Sequence, residues 1–290
     1  MRHEAGVAYI KDPIPSRDVI LDRKKLATIL ANQEHIYEGK RVRSYHAVTR
    51  GWILNEIVCR VDPKRRTLGQ IYEEDINAIP GIEFHLGLSP DNEARRSKCE
   101  DYPIPDLVIM ESIKILTGTR QDNDLPLKAL KNGSPLRYLI KLMLAMGLDF
   151  ANNPLFLKTE VPSVNGFTNA NSLAKIAAIL AARGSLGKDR LMSRAAFDLA
   201  LSDGVLAYDN FVCKEVTVTR GGFGMFKLEE IDVDTKFYGW PGMGGSIIIF
   251  NVEYNFGFSY VMNAQHVTIL VDERARRLVV AAFKAHLSSL

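Results

Sequence analysis

The feature that most constrains this chain is a change of hydrophobic period near residue 200. Before it, apolar residues recur at helical spacing. After it they alternate, and β-branched residues take over. Residues Asp22–Gln33 place Leu26, Ile29 and Leu30 on one face, and His46–Val61 does the same with Val48, Trp52, Ile53 and Ile57. Thr67–Ala78, Leu107–Leu116 and Leu136–Met146 read as further helices. The polar stretches Ser89–Pro105 and Thr117–Pro135, the latter with an Asn132-Gly133 turn signal, read as loops. Asn169–Ala182 carries the strongest helical pattern, with a polar start, Leu173, Ile176, Ala177 and Leu180 on one face, and Gly184 beyond it. A short helix is expected over Lys188–Ala200. Strands are expected at Glu215–Thr219, Ser246–Phe250 and Phe256–Met262, with a turn at Asn251–Asn255 and a closing amphipathic helix over Asp272–Leu287. Helices, then an antiparallel meander, then a helix define an α+β chain and not a doubly wound sheet.

Composition adds bounds. The chain has 290 residues, 47% hydrophobic and 24% charged, enough for one large domain with a core of its own. We take it as a single domain over 1–290, mostly helical over 46–200, with strands and the closing helix over 213–290. The net charge is +3, and basic clusters such as Lys64-Arg65-Arg66 are short and mixed with acids, so nucleic acid is not an expected partner. No run approaches the roughly 18 apolar residues of a membrane span, so no membrane partner is expected. Three separated cysteines (Cys59, Cys99, Cys213) form no metal or disulfide pattern. With no secretory h-region after Met1, they fit reduced thiols in an intracellular setting.

Common catalytic signatures are absent. No P-loop, no strand-to-helix Gly-x-Gly-x-x-Gly and no Gly-x-Ser-x-Gly elbow occurs. The six histidines never fall in metal-ligand spacing, and His85 reads as a packed or surface histidine. No metal or cofactor is expected.

Three blocks, in order, carry a resemblance. The first is Tyr45-His46-Ala47-Val48-Thr49-Arg50-Gly51-Trp52-Ile53-Leu54, continued by Ile79-Pro80-Gly81-Ile82-Glu83-Phe84-His85-Leu86-Gly87-Leu88. The second is Pro162–Ala170, leading into the Asn169–Ala182 helix. The third is Phe237-Tyr238-Gly239-Trp240-Pro241-Gly242-Met243-Gly244-Gly245-Ser246, followed by Gly257–Asn263. Together they resemble the serine β-lactamase-like family, in particular class C enzymes with their esterase and penicillin-binding relatives. The resemblance implies a β-lactamase/transpeptidase-like fold, an antiparallel sheet flanked by helices with a helical region beside it. It also implies hydrolysis of an ester, amide or peptide through an acyl-serine, on a small-molecule or peptide substrate.

The family's catalytic groups carry over in part. Tyr45 matches the second-motif tyrosine, which takes part in proton transfer. In the third motif Trp240 stands where the family has Lys or His, and an indole carries no cation and shuttles no proton. Met243 is the expected backbone oxyanion donor. Trp240, Gly242, Gly244 and Gly245 would line the substrate, although these glycines could equally serve only a tight strand start. The family's Ser-x-x-Lys nucleophile lies upstream of a Leu-x-His-x-Ala/Ser-Gly-Leu stretch, which Arg2-His3-Glu4-Ala5-Gly6-Val7 resembles directly after Met1. The resemblance therefore places the nucleophile segment, with the first strands, ahead of this chain. Ser172-Leu173-Ala174-Lys175 is a literal Ser-x-x-Lys match, but 15 serines and 17 lysines produce about one by chance. It reads as a helix-start serine with a solvated lysine. Two functions follow: a serine hydrolase lineage, inactive or impaired in this chain, or a non-catalytic binding or assembly protein that keeps the cleft. A sheet lacking its first strands would also expose an edge and an apolar face, favouring poor solubility or contact with an oligomer or partner.

Overall fold

A computed structural model describes residues 2–11, 15–100, 135–146, 150–242, 244–264 and 272–290. The expected helix at Leu107–Leu116 and most of the Thr117–Pro135 loop lie outside these residues. Ten strands are found among them, with the first four in two small antiparallel pairs: β1 (Phe84–Leu86) with the distant β2 (Gly166–Thr168), and β3 (Ser185–Leu186) with β4 (Asp189–Arg190) in a hairpin. The main sheet is an antiparallel meander in the order β10-β9-β8-β7-β6-β5. Its strands are β5 (Val205–Asp209), β6 (Lys214–Val218), β7 (Gly224–Phe226), β8 (Phe237–Pro241), β9 (Ile247–Asn251) and β10 (Phe256–Tyr260).

Alternation along β9 places helices on both faces. Ile247 and Ile249 point to one side and pack with Phe237 and Phe256 against Ala275, Val279 and Phe283 of the Glu273–Leu287 helix. Ile248 and Phe250 point to the other, against Ala177, Leu180 and Ala181 of the Ala170–Ala181 helix. That helix approaches β10 closely at Gly257, where an added Cβ would lie 2.4 Å from the backbone nitrogen of Ala178. Beside the sheet, Ile20, Leu26, Val48, Trp52, Leu142, Phe156 and Val161 form a second core joining the Arg23–Ala31, Thr49–Val61 and Pro135–Met146 helices.

Helix starts follow capping chemistry. Asp22 and Asn169 cap the Arg23–Ala31 and Ala170–Ala181 helices through their side chains. Several local expectations change. The expected Lys188–Ala200 helix is β4 followed by a helix only over Arg194–Leu201: Gly184 and Gly187 adopt positive φ to make the β3–β4 hairpin, and Ser193 starts the helix by accepting from Ala196 N. Within the expected 89–105 loop, Ser89 and Pro90 start a short helix to Arg95. The Thr67–Ala78 helix becomes π-helical over Tyr72–Ile76. The main sheet begins at Val205, ahead of the first expected strand at Glu215–Thr219, and the short strands β1–β4 precede it within the mostly helical part. Within the described residues, β5 and β10 have no further strand beyond them, while both faces of β8–β10 are covered by helices.

Candidate active site

Tyr45 and Trp240, 195 residues apart, meet in space. The Trp240 indole Nε1–H donates to the Tyr45 hydroxyl at 3.3 Å, and the ring centroids are 5.3 Å apart. Phe211, from the turn between β5 and β6, packs edge-on against Tyr45 at 5.5 Å. His3 completes the cluster, with its ring 4.9 Å from Tyr45 and 5.8 Å from Trp240.

Two buried groups hold the Tyr45 segment on the β5–β6 hairpin. Asp209, at the end of β5, accepts through Oδ1 from the backbone N–H groups of Tyr45, Phe211 and Val212 at 3.1, 2.8 and 3.1 Å. Arg43, whose side chain is 1% exposed, donates to the carbonyls of Val205 and Val216 and pairs with Glu4 at 2.8 Å. Backbone carbonyls and a carboxylate thus share its five donors. From the other side, Gly51 approaches the Pro162–Ser163 segment so closely that a Cβ would lie 2.4 Å from Ser163 N, and Gly51 N donates to Ser163 Oγ. This contact joins the first and second resemblance blocks.

Burial holds His3 and His46 in the neutral form. His3 is buried with φ +61°, a left-handed backbone that its neighbours over-determine: Ser44 N donates to its carbonyl and His46 N to its Nδ1, both at 3.0 Å. Burial, reinforced by the Arg50 charge, pushes its imidazole down to about 2. Burial also lowers His46, which donates from Nδ1 to the Ser44 carbonyl at 2.6 Å. Burial raises the Tyr45 phenol above its ordinary range, opposed by the Trp240 hydrogen bond and the Arg50 charge.

The glycine loop after β8 closes on itself. Gly242 N donates to Ser246 O at 2.7 Å, and Gly245 N to Gly242 O at 3.3 Å. Gly244 and Gly245 have positive φ, and a Cβ on Gly245 would meet the Asp272 carboxyl at 3.0 Å. Met243, the expected oxyanion donor, lies outside the described residues. The alternative Ser172–Lys175 pair is committed elsewhere. Ser172 Oγ is buried and accepts from Glu83 N at 2.9 Å; Lys175 Nζ is 2.7 Å from Asp189 and also donates to the Pro80 carbonyl. The lysine is part-exposed and ion-paired. His85 is packed, with Nδ1 against the Glu73 carboxylate and Nε2 3.4 Å from Glu83. Among the described residues no cluster of His, Cys, Asp and Glu could hold a metal, and no helix is long and apolar enough to cross a membrane.

Asp209, Arg43 and Phe211 belong to no sequence motif, and Arg50 stands in the first block without a role of its own. His3 stood only inside the Arg2–Val7 stretch, and that stretch was the available signal.

A helix-covered antiparallel meander with a helical region beside it defines the β-lactamase/transpeptidase-like fold. The chain belongs to the beta-lactamase family, whose family model matches residues 1–282. Its structure is similar to a family VIII carboxylesterase (24% identity, TM-score 0.77, 98% of this chain and 69% of that one). It is also similar to a penicillin-binding protein homolog from Caulobacter crescentus (23%, TM-score 0.75, 98% and 69%). EstA from Arthrobacter nitroguajacolicus Rue61a matches at 19% identity and TM-score 0.76, over 99% of this chain and 71% of that one. At these identities the likeness is one of fold. A search of curated proteins gave no match.

Proposed function

We propose that this chain carries the tyrosine-and-strand part of a serine-hydrolase cleft, serving acyl-serine hydrolysis of an ester, amide or peptide, and that its 290 residues alone are inactive or impaired. The Trp240–Tyr45 hydrogen bond is the observation that carries the reading. It brings the second and third motif residues into one contact. It also orients Tyr45: the phenolic oxygen accepts the indole proton, so its own hydrogen is free to be given to a leaving group. Burial raises the phenol further above neutral pH, where it is already protonated. Trp240 itself donates and moves no proton. The glycines Gly242, Gly244 and Gly245, with Met243, would line the acyl group. Ser172 makes a poor nucleophile, because its oxygen is enclosed and Lys175 is held by Asp189.

A fluorophosphonate probe and a chromogenic ester test this on the 290-residue chain. The expected result is no labelling and no turnover above background, unchanged by Ser172→Ala. Labelling that Ser172→Ala abolishes would overturn it. Trp240 also favours a second reading, a non-catalytic binding protein with an aromatic-walled cleft. A longer form bearing Ser-x-x-Lys ahead of Arg2 separates the two. Ester hydrolysis that falls in Tyr45→Phe supports the hydrolase, and saturable ligand binding without hydrolysis supports the binding protein.

A further inference from the structure

Among the described residues, Arg50 is a cation without an anion. Its Nη2 reaches only the Gly221 carbonyl at 3.5 Å, its Nε is enclosed without an acceptor, and no carboxylate pairs with it among the described residues. It stands second in the Thr49–Val61 helix, whose start has no side-chain cap. A positive charge in a first turn opposes the helix dipole, so nothing in the helix compensates it.

The remaining contact sharpens the point. Arg50 Nη1 lies 3.4 Å from His3 Nε2. His46 N donates to His3 Nδ1 at 3.0 Å, so Nδ1 carries the lone pair. A neutral imidazole then holds its proton on Nε2. The imidazole is neutral, because burial and the Arg50 charge hold it near a pKa of about 2. Two donors, Nη1–H and Nε2–H, therefore face each other with no acceptor between them, a costly arrangement for groups so enclosed. The Tyr45 and Trp240 rings stand beside His3, and Arg50 remains half-buried, with part of its side chain at the surface.

We propose that Arg50 and His3 form a carboxylate-binding subsite beside Tyr45, where one oxygen of a monoanionic ligand accepts from both Arg50 Nη1 and His3 Nε2. An aromatic acid suits it, since the guanidinium supplies one charge and the Tyr45–Trp240 wall supplies ring faces. The subsite deepens the hydrolase reading and rests on it only in making the bound acid part of the substrate.

Long-range nitrogen–proton NMR of the histidine rings, with His3 assigned through His3→Asn, reads the site without turnover. Benzoate and its neutral isostere benzamide are titrated at constant ionic strength into the full chain, Arg50→Gln and Arg50→Lys. His3 should appear as the Nε2–H tautomer, and benzoate should shift it saturably. Benzamide, and benzoate with Arg50→Gln, should each bind at least roughly tenfold more weakly, while Arg50→Lys stays within a few-fold of the parent. An Nδ1–H tautomer, no saturable shift, or equal binding of benzoate and benzamide overturns the proposal, as does undiminished benzoate binding by a folded Arg50→Gln. Should Arg50→Gln not fold by circular dichroism, the benzoate-to-benzamide ratio in the parent and in Arg50→Lys decides. Benzoate binding in a longer form that hydrolyses nothing would count against the hydrolase reading alone.

Discussion

Replacing Asp209 should show how the Tyr45 segment is held. Its carboxylate is 2% exposed and accepts three backbone N–H groups through one oxygen, from Tyr45, Phe211 and Val212. Asp209→Ala leaves all three donors without that acceptor. A stranded buried donor costs about 1–3 kcal/mol, and local relaxation recovers part of it, so the expected loss is about 3–5 kcal/mol. That is a large fraction of the roughly 5–15 kcal/mol that keeps a domain folded. Asp209→Asn keeps an amide oxygen at the same place and should recover most of the loss. Urea denaturation gives the energies. Near-ultraviolet circular dichroism reports the local geometry, because Trp240 is one of only two tryptophans and Trp52 lies in the helical core. Asp209→Ala should alter that spectrum in the folded baseline, as Tyr45 shifts relative to the indole. A loss under about 1 kcal/mol would refute the reasoning. So would Asp209→Asn proving as damaging as Asp209→Ala, since the charge and not the acceptor would then matter.

Two further outcomes follow from packing and titration. Gly257→Ala places a Cβ 2.4 Å from Ala178 N and 2.6 Å from the Ala177 carbonyl carbon, and should cost about 1–3 kcal/mol in thermal or urea melts. Gly242→Ala meets nothing nearer than Ser246 O at 3.4 Å and should be nearly neutral, so equal losses at the two sites would contradict the packing argument. Glu4 titrates below the ordinary carboxylate range, because its hydrogen bonds from Arg43 and Arg41 outweigh the upward push of burial. A lowered folded pKa contributes stability above the unfolded value and loses it as pH falls through the folded one. Melting temperatures between pH 7 and pH 3 should therefore fall more steeply for the parent than for Glu4→Gln, and parallel curves would refute the assignment.

The elements that the sequence announces are those with local causes. The Ala170–Ala181 helix has its Asn169 cap and one apolar face, and β9 has an unbroken run of three isoleucines and a phenylalanine. Structure that depends on distant partners leaves no local pattern. Lys188–Ala200 carries enough helix formers to look continuous, yet Gly184 and Gly187 turn the chain into β3 and β4 first. Strand β5 has a largely exposed pattern that becomes a strand only by pairing with β6.

The site divides the same way. Tyr45 and Trp240 are legible because each sits in a block with its own order and glycines, and the fold supplies the contact between them. Asp209 and Arg43 belong to no motif, and Arg50 stands in the first block without a role of its own; each acquires its role from what faces it in the fold or from what does not. For Arg43 the facing group is Glu4, and the charge is neutralised within the fold. Arg50 has no such acid among the described residues, although it is enclosed against a histidine whose only free nitrogen is a donor. The two arginines are seven residues apart in one segment and make opposite electrostatic demands. One is satisfied by the chain and holds structure, and the other is satisfied by an anion from outside it.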